Sequence, residues 1–375
     1  MENNIPKRIL FLLHLPPPVH GSSMVGQMIK ESKEINQEFE CNYINLLASH
    51  NVAETGILSL KKLFEFIIIW FKVLFTIIFK RPDLVYFALT TTGMAFLRDV
   101  LLVAFLKLFG LKRIYHLHNK GISNYQNRPF FRLLYKFVFK DSEVILLSKL
   151  LYEDVKAFVP ESRINICPNG IPDLFAGLSS YELRKSRKEL KKTPEILFLS
   201  NLIETKGVYV LLEACATVKS KGINFHCTFV GGEGDITTSD FVDHVKLLDL
   251  NEEVHYKGKK FGDEKIKAFN DADIFVFPTF YSKECFPLVL LEALAAGVPV
   301  ISTYEGGIPD IIDNGVNGFL IEQRNVQMLA NQLEKLLTDP NLCKEIEKAG
   351  RDKFEKEFDI EIFEHKLTQI LKRLV

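Results

Sequence analysis

Short apolar runs alternate along the chain with longer stretches in which apolar residues recur every three or four positions. The runs are Arg8–His14, Leu84–Ala88, Arg113–Leu117, Glu143–Leu147, Glu195–Ser200, His226–Val230, Val254–Lys257, Ile274–Pro278, Val300–Thr303 and Gly318–Ile321. Between most of them lie about ten to twenty residues of helical periodicity, such as Val208–Lys219 and Glu264–Ala272. Strand–helix alternation of this kind predicts βαβ units and parallel sheets. The runs are nearly continuous in apolar character, as strands covered on both faces are.

The alternation breaks once, between about Gly170 and Pro194, where Pro172, Gly177, Ser179-Ser180 and the charged run Arg184–Lys192 occur. A chain of 375 residues is long enough for two domains. The reading is therefore a first domain over 1–170, a linker over 171–193 and a second domain over 194–355. A last helix, 356–375, is free to return to the first. Two doubly wound domains facing a central cleft would bind ligands beyond the C-terminal ends of their strands.

Composition supports a folded chain and sharpens the partner. Apolar residues make up 47% at zero formal net charge, which argues against disorder and against a general nucleic-acid binder. The zero is a cancellation: residues 1–170 hold 21 Lys and Arg against 14 Asp and Glu, a net +7, and residues 171–375 hold 26 against 33, a net −7. Six scattered cysteines with no C-x-x-C pair read as reduced thiols, not as a zinc site or disulfide framework. Lys7-Arg8 and the apolar run after it resemble a short signal peptide. Pro16-Pro17-Pro18 follows instead of a small-residue cleavage site, so a first buried strand is the reading. The most apolar stretch, Leu63–Phe79, is short of the ~20 residues that span a bilayer and contains Glu65 and Lys72. It reads as a buried or interfacial helix.

Several turns carry candidate chemistry. Val19-His20-Gly21-Ser22-Ser23 leads from the first strand into a helix expected near Met24. It suits a phosphate or hydroxyl at a helix N-terminus, or is an ordinary turn capped by Ser22 or Ser23. It lacks the dinucleotide and P-loop glycine patterns. His116 and His118 share a strand face with no third metal ligand apparent, and His118 lies nearer the strand end where ligands bind. Lys206 precedes a helix and suits a diphosphate, or is a solvated surface lysine. Glu284 and Glu292 flank Cys285-Phe286-Pro287-Leu288, whose amides sit at a helix start. A carboxylate among Val289–Leu291 and Ala293–Ala296 is costly unless paired or bound, and it can accept from two hydroxyls of a ribose or hexose. Asp271-Ala272-Asp273 reads as a helix end or cap, not a metal site.

From Glu195 to Ile321 the chain resembles the C-terminal domain of the retaining GT-B glycosyltransferases called family 4. The resemblance rests on Lys206-Gly207, Val230-Gly231-Gly232, Val254–Gly258, Glu284 and Glu292 followed by Ala293, Gly297–Val300, Gly306–Pro309 and Asn317-Gly318, in order. In the first half, the Gly21 loop, His118 and Pro168–Pro172 are similar to the family's pattern. It implies an α/β, GT-B fold and a nucleotide-sugar donor, UDP- or GDP-linked, with no cofactor and no metal. Lys206 would contact the diphosphate, Glu284 the donor-sugar hydroxyls, amides near Phe286, Pro287 and Leu288 would assist, and Glu292 would accept from the ribose. His118 would approach the donor sugar, and Gly21 and Ser22 would lie beside diphosphate or acceptor. The usual arginine before the K-G turn is replaced by Asn201, so Lys206 carries more of the charge or another cation such as Lys259 enters.

Residues 60–110 hold nine phenylalanines and Trp70, and 100–140 hold eight basic residues and no acidic one. This composition suits an anionic membrane surface or a lipid-pyrophosphate acceptor, or a core helix beside a solvated basic face. The expected function is transfer of a sugar to a glycan or lipid-linked oligosaccharide in bacterial-type surface polysaccharide biosynthesis. The enzyme would be cytoplasmic and peripheral at the inner face of the membrane, with no nucleic-acid partner. The rivals are another GT-B enzyme such as a nucleotide-sugar epimerase, and a non-catalytic scaffold of a polysaccharide assembly complex.

Overall fold

The computed structural model describes residues 6–47, 60–176 and 193–375. The run Arg184–Lys192 and most of the expected linker lie outside the described residues. The chain forms two compact units, one of residues 1–169 with 361–375, the other of residues 170–360.

The first unit is built on a six-stranded parallel sheet. Its strands are β1 (Arg8–Leu13), β2 (Glu40–Asn45), β3 (Leu84–Phe87), β4 (Arg113–Leu117), β5 (Glu143–Leu146) and β6 (Ile164–Ile166), in the order β2-β1-β3-β4-β5-β6. The second unit carries β7 (Glu195–Leu199), β8 (His226–Val230), β9 (Val254–Tyr256), β10 (Ile274–Phe277), β11 (Val300–Thr303) and β12 (Gly318–Ile321). Their order is β12-β11-β10-β7-β8-β9, again all parallel. All ten sequence-predicted strands are present. β2 and β6 were not predicted, because edge strands covered on few sides need no apolar run. In β2 only Ile44 is buried, and β6 is half-buried throughout.

Each sheet reverses its winding between two neighbouring strands, β1 and β3 in the first and β7 and β10 in the second. At such a point the connections leave to opposite sides and open a crevice beyond the strand ends. The helices after β1 are α1 (Gly21–Glu31) and α2 (Lys33–Glu38). The crossovers after β2, β3 and β4 contain α3 (Leu60–Lys80), α4 (Gly93–Leu108) and α5 (Pro129–Phe139). Right-handed crossovers in this strand order put α3, α4 and α5 on one face of the sheet. Their contacts agree: Trp70 of α3 lies 4.2 Å from Phe105 of α4, ring centre to ring centre. Lys107 of α4 donates to the Lys140 carbonyl at the end of α5. Ile69, Val73 and Ile77 are the inward side of α3.

In the second unit the helices that frame the site are α6 (Val208–Ser220), α7 (Gly262–Asp271) and α8 (Leu288–Ala295). Buried Phe198, Phe229 and Phe277 stack across adjacent strands of the sheet beneath them. The last helix, α9 (Ile360–Leu374), packs on the first unit through buried Phe363, Leu367, Ile370 and Leu371. Its polar side pairs His365 with Glu34, Lys372 with Glu38 and Arg373 with Asn165.

Candidate active site

A pair of candidate residues of the second unit meets at its winding reversal. Lys206 follows β7 and Glu284 follows β10, and their side chains form an ion pair, 15% and 13% exposed. The backbone explains why they meet. Phe280 N–H donates to the Thr205 carbonyl at 2.8 Å, which ties the loop after β10 to the loop after β7. Gly207 has φ +87°, and a Cβ there would lie 2.3 Å from the Pro278 carbonyl oxygen. Only glycine combines that conformation with that approach. Gly306, at φ +56°, fits against the Glu284 carbonyl in the same way, at 2.3 Å. The Lys206 ammonium also lies 4.5 Å from the centre of the Tyr281 ring and 5.3 Å from that of Phe277. An ammonium is attracted to such faces.

Glu292, inside α8, accepts a charge-assisted hydrogen bond from Lys265 of α7 at 2.5 Å. Its other oxygen, Oε2, is buried and has no partner among the described residues. Burial pushes this carboxyl above the usual carboxylate range, against the opposing pull of Lys265. Phe286 is buried, and the N-cap residue of α8 is Pro287, whose side chain accepts no hydrogen bond from the first turn. The first amides of that helix carry the partial positive charge of a helix N-terminus.

Asn201 Oδ1 accepts from the Gly232 amide at 3.1 Å and holds the loop after β8. Lys259 extends over the same residue: a Cβ on Gly232 would lie 2.1 Å from its Cε and 3.1 Å from its Nζ. The two side chains converge on one glycine. Helix α7 ends within the Asp271–Asp273 triplet, at Asp271 with Ala272 as its cap, and the Asp273 carboxylate accepts from the Glu195 amide at 2.8 Å and fixes the start of β7.

The first unit has a separate cluster at its own strand ends. Helix α1 begins at Gly21, not near Met24; its N-cap residue is His20, and the Ser23 hydroxyl accepts from the His20 amide at 3.0 Å to complete a capping box. The Ser23 amide donates to His20 Nδ1 at 3.3 Å, so Nδ1 is the unprotonated ring nitrogen. Ser22 Oγ lies 3.2 Å from that nitrogen and 3.3 Å from His14 Nδ1. Gly26 lets α1 close on β1, since a Cβ there would lie 2.0 Å from the His14 carbonyl oxygen. His118 stacks on His116 at 4.1 Å between ring centres, and its buried Nδ1 has no partner among the described residues. Tyr86 hydroxyl and His116 Nδ1 are 2.5 Å apart.

Burial, with His20 nearby, holds the His118 imidazole down to about 4. Burial followed by Arg98, His20 and His118 holds His14 well below its ordinary value. At neutral pH the cluster is thus uncharged. Asp154 fixes the loop beyond it by accepting from the amides of Gly121, Ile122 and Ser123. Among the described residues no three His, Cys, Asp or Glu side chains converge as metal ligands.

The fold thus brings Lys206 to Glu284 in one unit, and Ser22 to His14 and His20 in the other. Sequence reasoning missed Lys265, Tyr281 and His14. Lys265 lies on an ordinary charged helix, and Tyr281 and His14 carry no spacing signal.

Residues 179–353 match the family described as glycosyl transferases group 1. An amylovoran biosynthesis glycosyltransferase, AmsK of Erwinia amylovora, is 31% identical over 285 residues, which cover 72% of this chain and 66% of the relative. A capsular polysaccharide biosynthesis glycosyltransferase, CapM of Staphylococcus aureus, is 28% identical over 240 residues, 62% of each chain. The chain spans less than two thirds of the length of either relative. HepE of Anabaena, solved in complex with UDP, superposes with a TM-score of 0.76 at 18% identity, covering 98% of this chain and all of that one. The likeness shows that the α/β architecture is GT-B.

Proposed function

The chain belongs, through residues 179–353, to the glycosyl transferases group 1, and from that premise we propose that it moves a sugar from a UDP- or GDP-linked donor to a lipid-linked glycan. The transfer retains anomeric configuration and uses no metal. The setting is assembly of a bacterial-type surface polysaccharide, at the cytoplasmic face of the membrane. The relatives' roles in amylovoran and capsule biosynthesis support the product class. The UDP in the HepE complex supports the donor class.

The observation that carries the reading is the Lys206–Glu284 pair at the winding reversal of the second sheet. Breaking a sugar–phosphate bond leaves negative charge on the diphosphate, and a fixed cation in a partly dry site stabilises it as it develops. Lys206 supplies that cation. Glu284, acceptor-only when ionised, takes hydrogen bonds from donor-sugar hydroxyls and orients the ring. Glu292 Oε2, unpartnered and buried, accepts from a ribose hydroxyl. The amides at the start of α8 face the anionic donor. Lys259 supplies the second charge that Asn201 does not. In the first unit neutral His118 serves as a hydrogen-bonding group for the donor sugar, and Gly21 and Ser22 serve the acceptor or diphosphate.

Purified protein incubated with candidate nucleotide sugars and a lipid-linked acceptor should form product. Lys206→Ala and Glu284→Ala should each lower the rate by about 10²-fold or more, the loss seen when a transition-state charge contact is removed. Undiminished transfer by both variants sinks the site assignment. Conversion of the donor with no acceptor present would make the chain an epimerase, and no binding of UDP or GDP by calorimetry would make it a scaffold.

A further inference from the structure

Helix α3 has two apolar sides, and among the described residues only one of them is covered. Ile69, Val73 and Ile77 are buried against the first unit. Phe64, Ile67, Ile68, Phe71, Phe75, Ile78 and Phe79 face outward, with the four phenylalanines 58–67% exposed. At 100° per residue these seven positions fall within an arc of about 120°. Between Phe64 and Phe79 no charged residue lies inside it. From Phe64 to Phe79 the stripe runs about 22 Å at 1.5 Å per residue. A monomer does not normally leave so long an apolar stripe in water.

The neighbouring helices extend the pattern. On α4, Leu101 and Leu108 are exposed, and on α5, Phe130 and Leu133. Around them stand Lys107, Arg128, Arg132, Lys136 and Lys140, within a stretch, 100–140, that has no acidic residue. The three helices share one face of the sheet. Apolar rings surrounded by cations match an anionic bilayer, whose headgroups meet the charges while the rings enter the acyl boundary. A second copy of the same face would bring like charges together. No helix among the described residues is long and apolar enough to cross a membrane, so α3 would lie in the surface plane.

We infer that the outer face of α3, α4 and α5 is a docking surface for an anionic phospholipid bilayer, with the α3 phenylalanines inserted and the α5 cations at the headgroups. This deepens the membrane part of the proposed function, yet vesicle binding is read without donor or acceptor, so each can fail alone. The full chain should float with phosphatidylglycerol vesicles and not with phosphatidylcholine vesicles. The double substitution Phe71→Asp, Phe75→Asp should weaken flotation at least about 10-fold. Arg132→Glu with Lys136→Glu should weaken it by a similar factor and flatten its salt dependence. Melting temperature and transfer to a soluble acceptor should stay unchanged in both variants, since these side chains are exposed and lie outside the site. Wild-type protein that ignores anionic vesicles, or Asp variants that float as well as wild type, would overturn the proposal. So would a dimer in sedimentation that the Asp variants abolish, because a second copy would then be the occupant.

Discussion

Lys206 is held by a carboxylate and two aromatic faces, so its charge has one position before any donor arrives. Asn201 cannot add to that charge, and its Oδ1 is engaged by the Gly232 amide. Lys259→Ala should therefore weaken UDP or GDP binding, by about 5–30-fold if one charge-assisted contact of about 1–2 kcal/mol is lost. Calorimetry reads the change, and Lys259→Arg should recover most of it. The histidines act in the opposite direction, through absence of charge. Because the folded His118 is held to about 4, below its ordinary 6.5, the unfolded chain takes up its proton first as pH falls. That part of the stability is complete above about pH 6.5 and is lost towards pH 4. Melting temperatures across this window should fall, and less steeply in His118→Asn, while His14 and His116 add drops of the same sign. Glu284 and Lys206 were legible because each sits in a short motif. Lys265 was not, because its meaning comes from Glu292, a partner 27 positions away brought close by two helices.

The strands were legible where an apolar run marks them and obscure where exposed or half-buried positions interrupt it. Central strands such as β3 and β10, buried at every position, announce themselves as apolar runs. β2 and β6, at one edge each, do not. The start of α1 was misplaced because the cap is a histidine, whose ring nitrogen substitutes for the usual hydroxyl or carboxylate acceptor. The loops that bear chemistry depend on glycines for reasons visible only in three dimensions. Gly207→Ala would force a left-handed residue and a Cβ into the Pro278 carbonyl. A loss of about 1–3 kcal/mol is expected for the strained backbone alone. Chemical denaturation should show it, together with a larger loss of transfer activity than of stability, because the loop carries Lys206.

At the scale of the whole molecule, the charge balance of zero divides into a basic half and an acidic half. The basic half also carries the apolar outer face of α3, so attraction to anionic lipid is a property of one unit and not of the chain's total charge. The two-unit division was legible from the break after Gly170. The return of the last helix was left open, since nothing in its amphipathic pattern says which surface it covers. That return has a consequence for how the protein comes into being. The first unit is made from two separate stretches, 1–169 and 361–375, with the second inserted between them. During synthesis the earlier-made unit must wait, with one face bare, until residues 361–375 leave the ribosome, while the inserted unit can already be complete. Deleting 361–375 should accordingly expose the surface covered by Phe363, Leu367, Ile370 and Leu371 and destabilise the earlier-made unit. Limited proteolysis should cut residues 6–169 first and spare 193–360, and nucleotide binding by the inserted unit should survive the loss of a helix that lies after it in sequence.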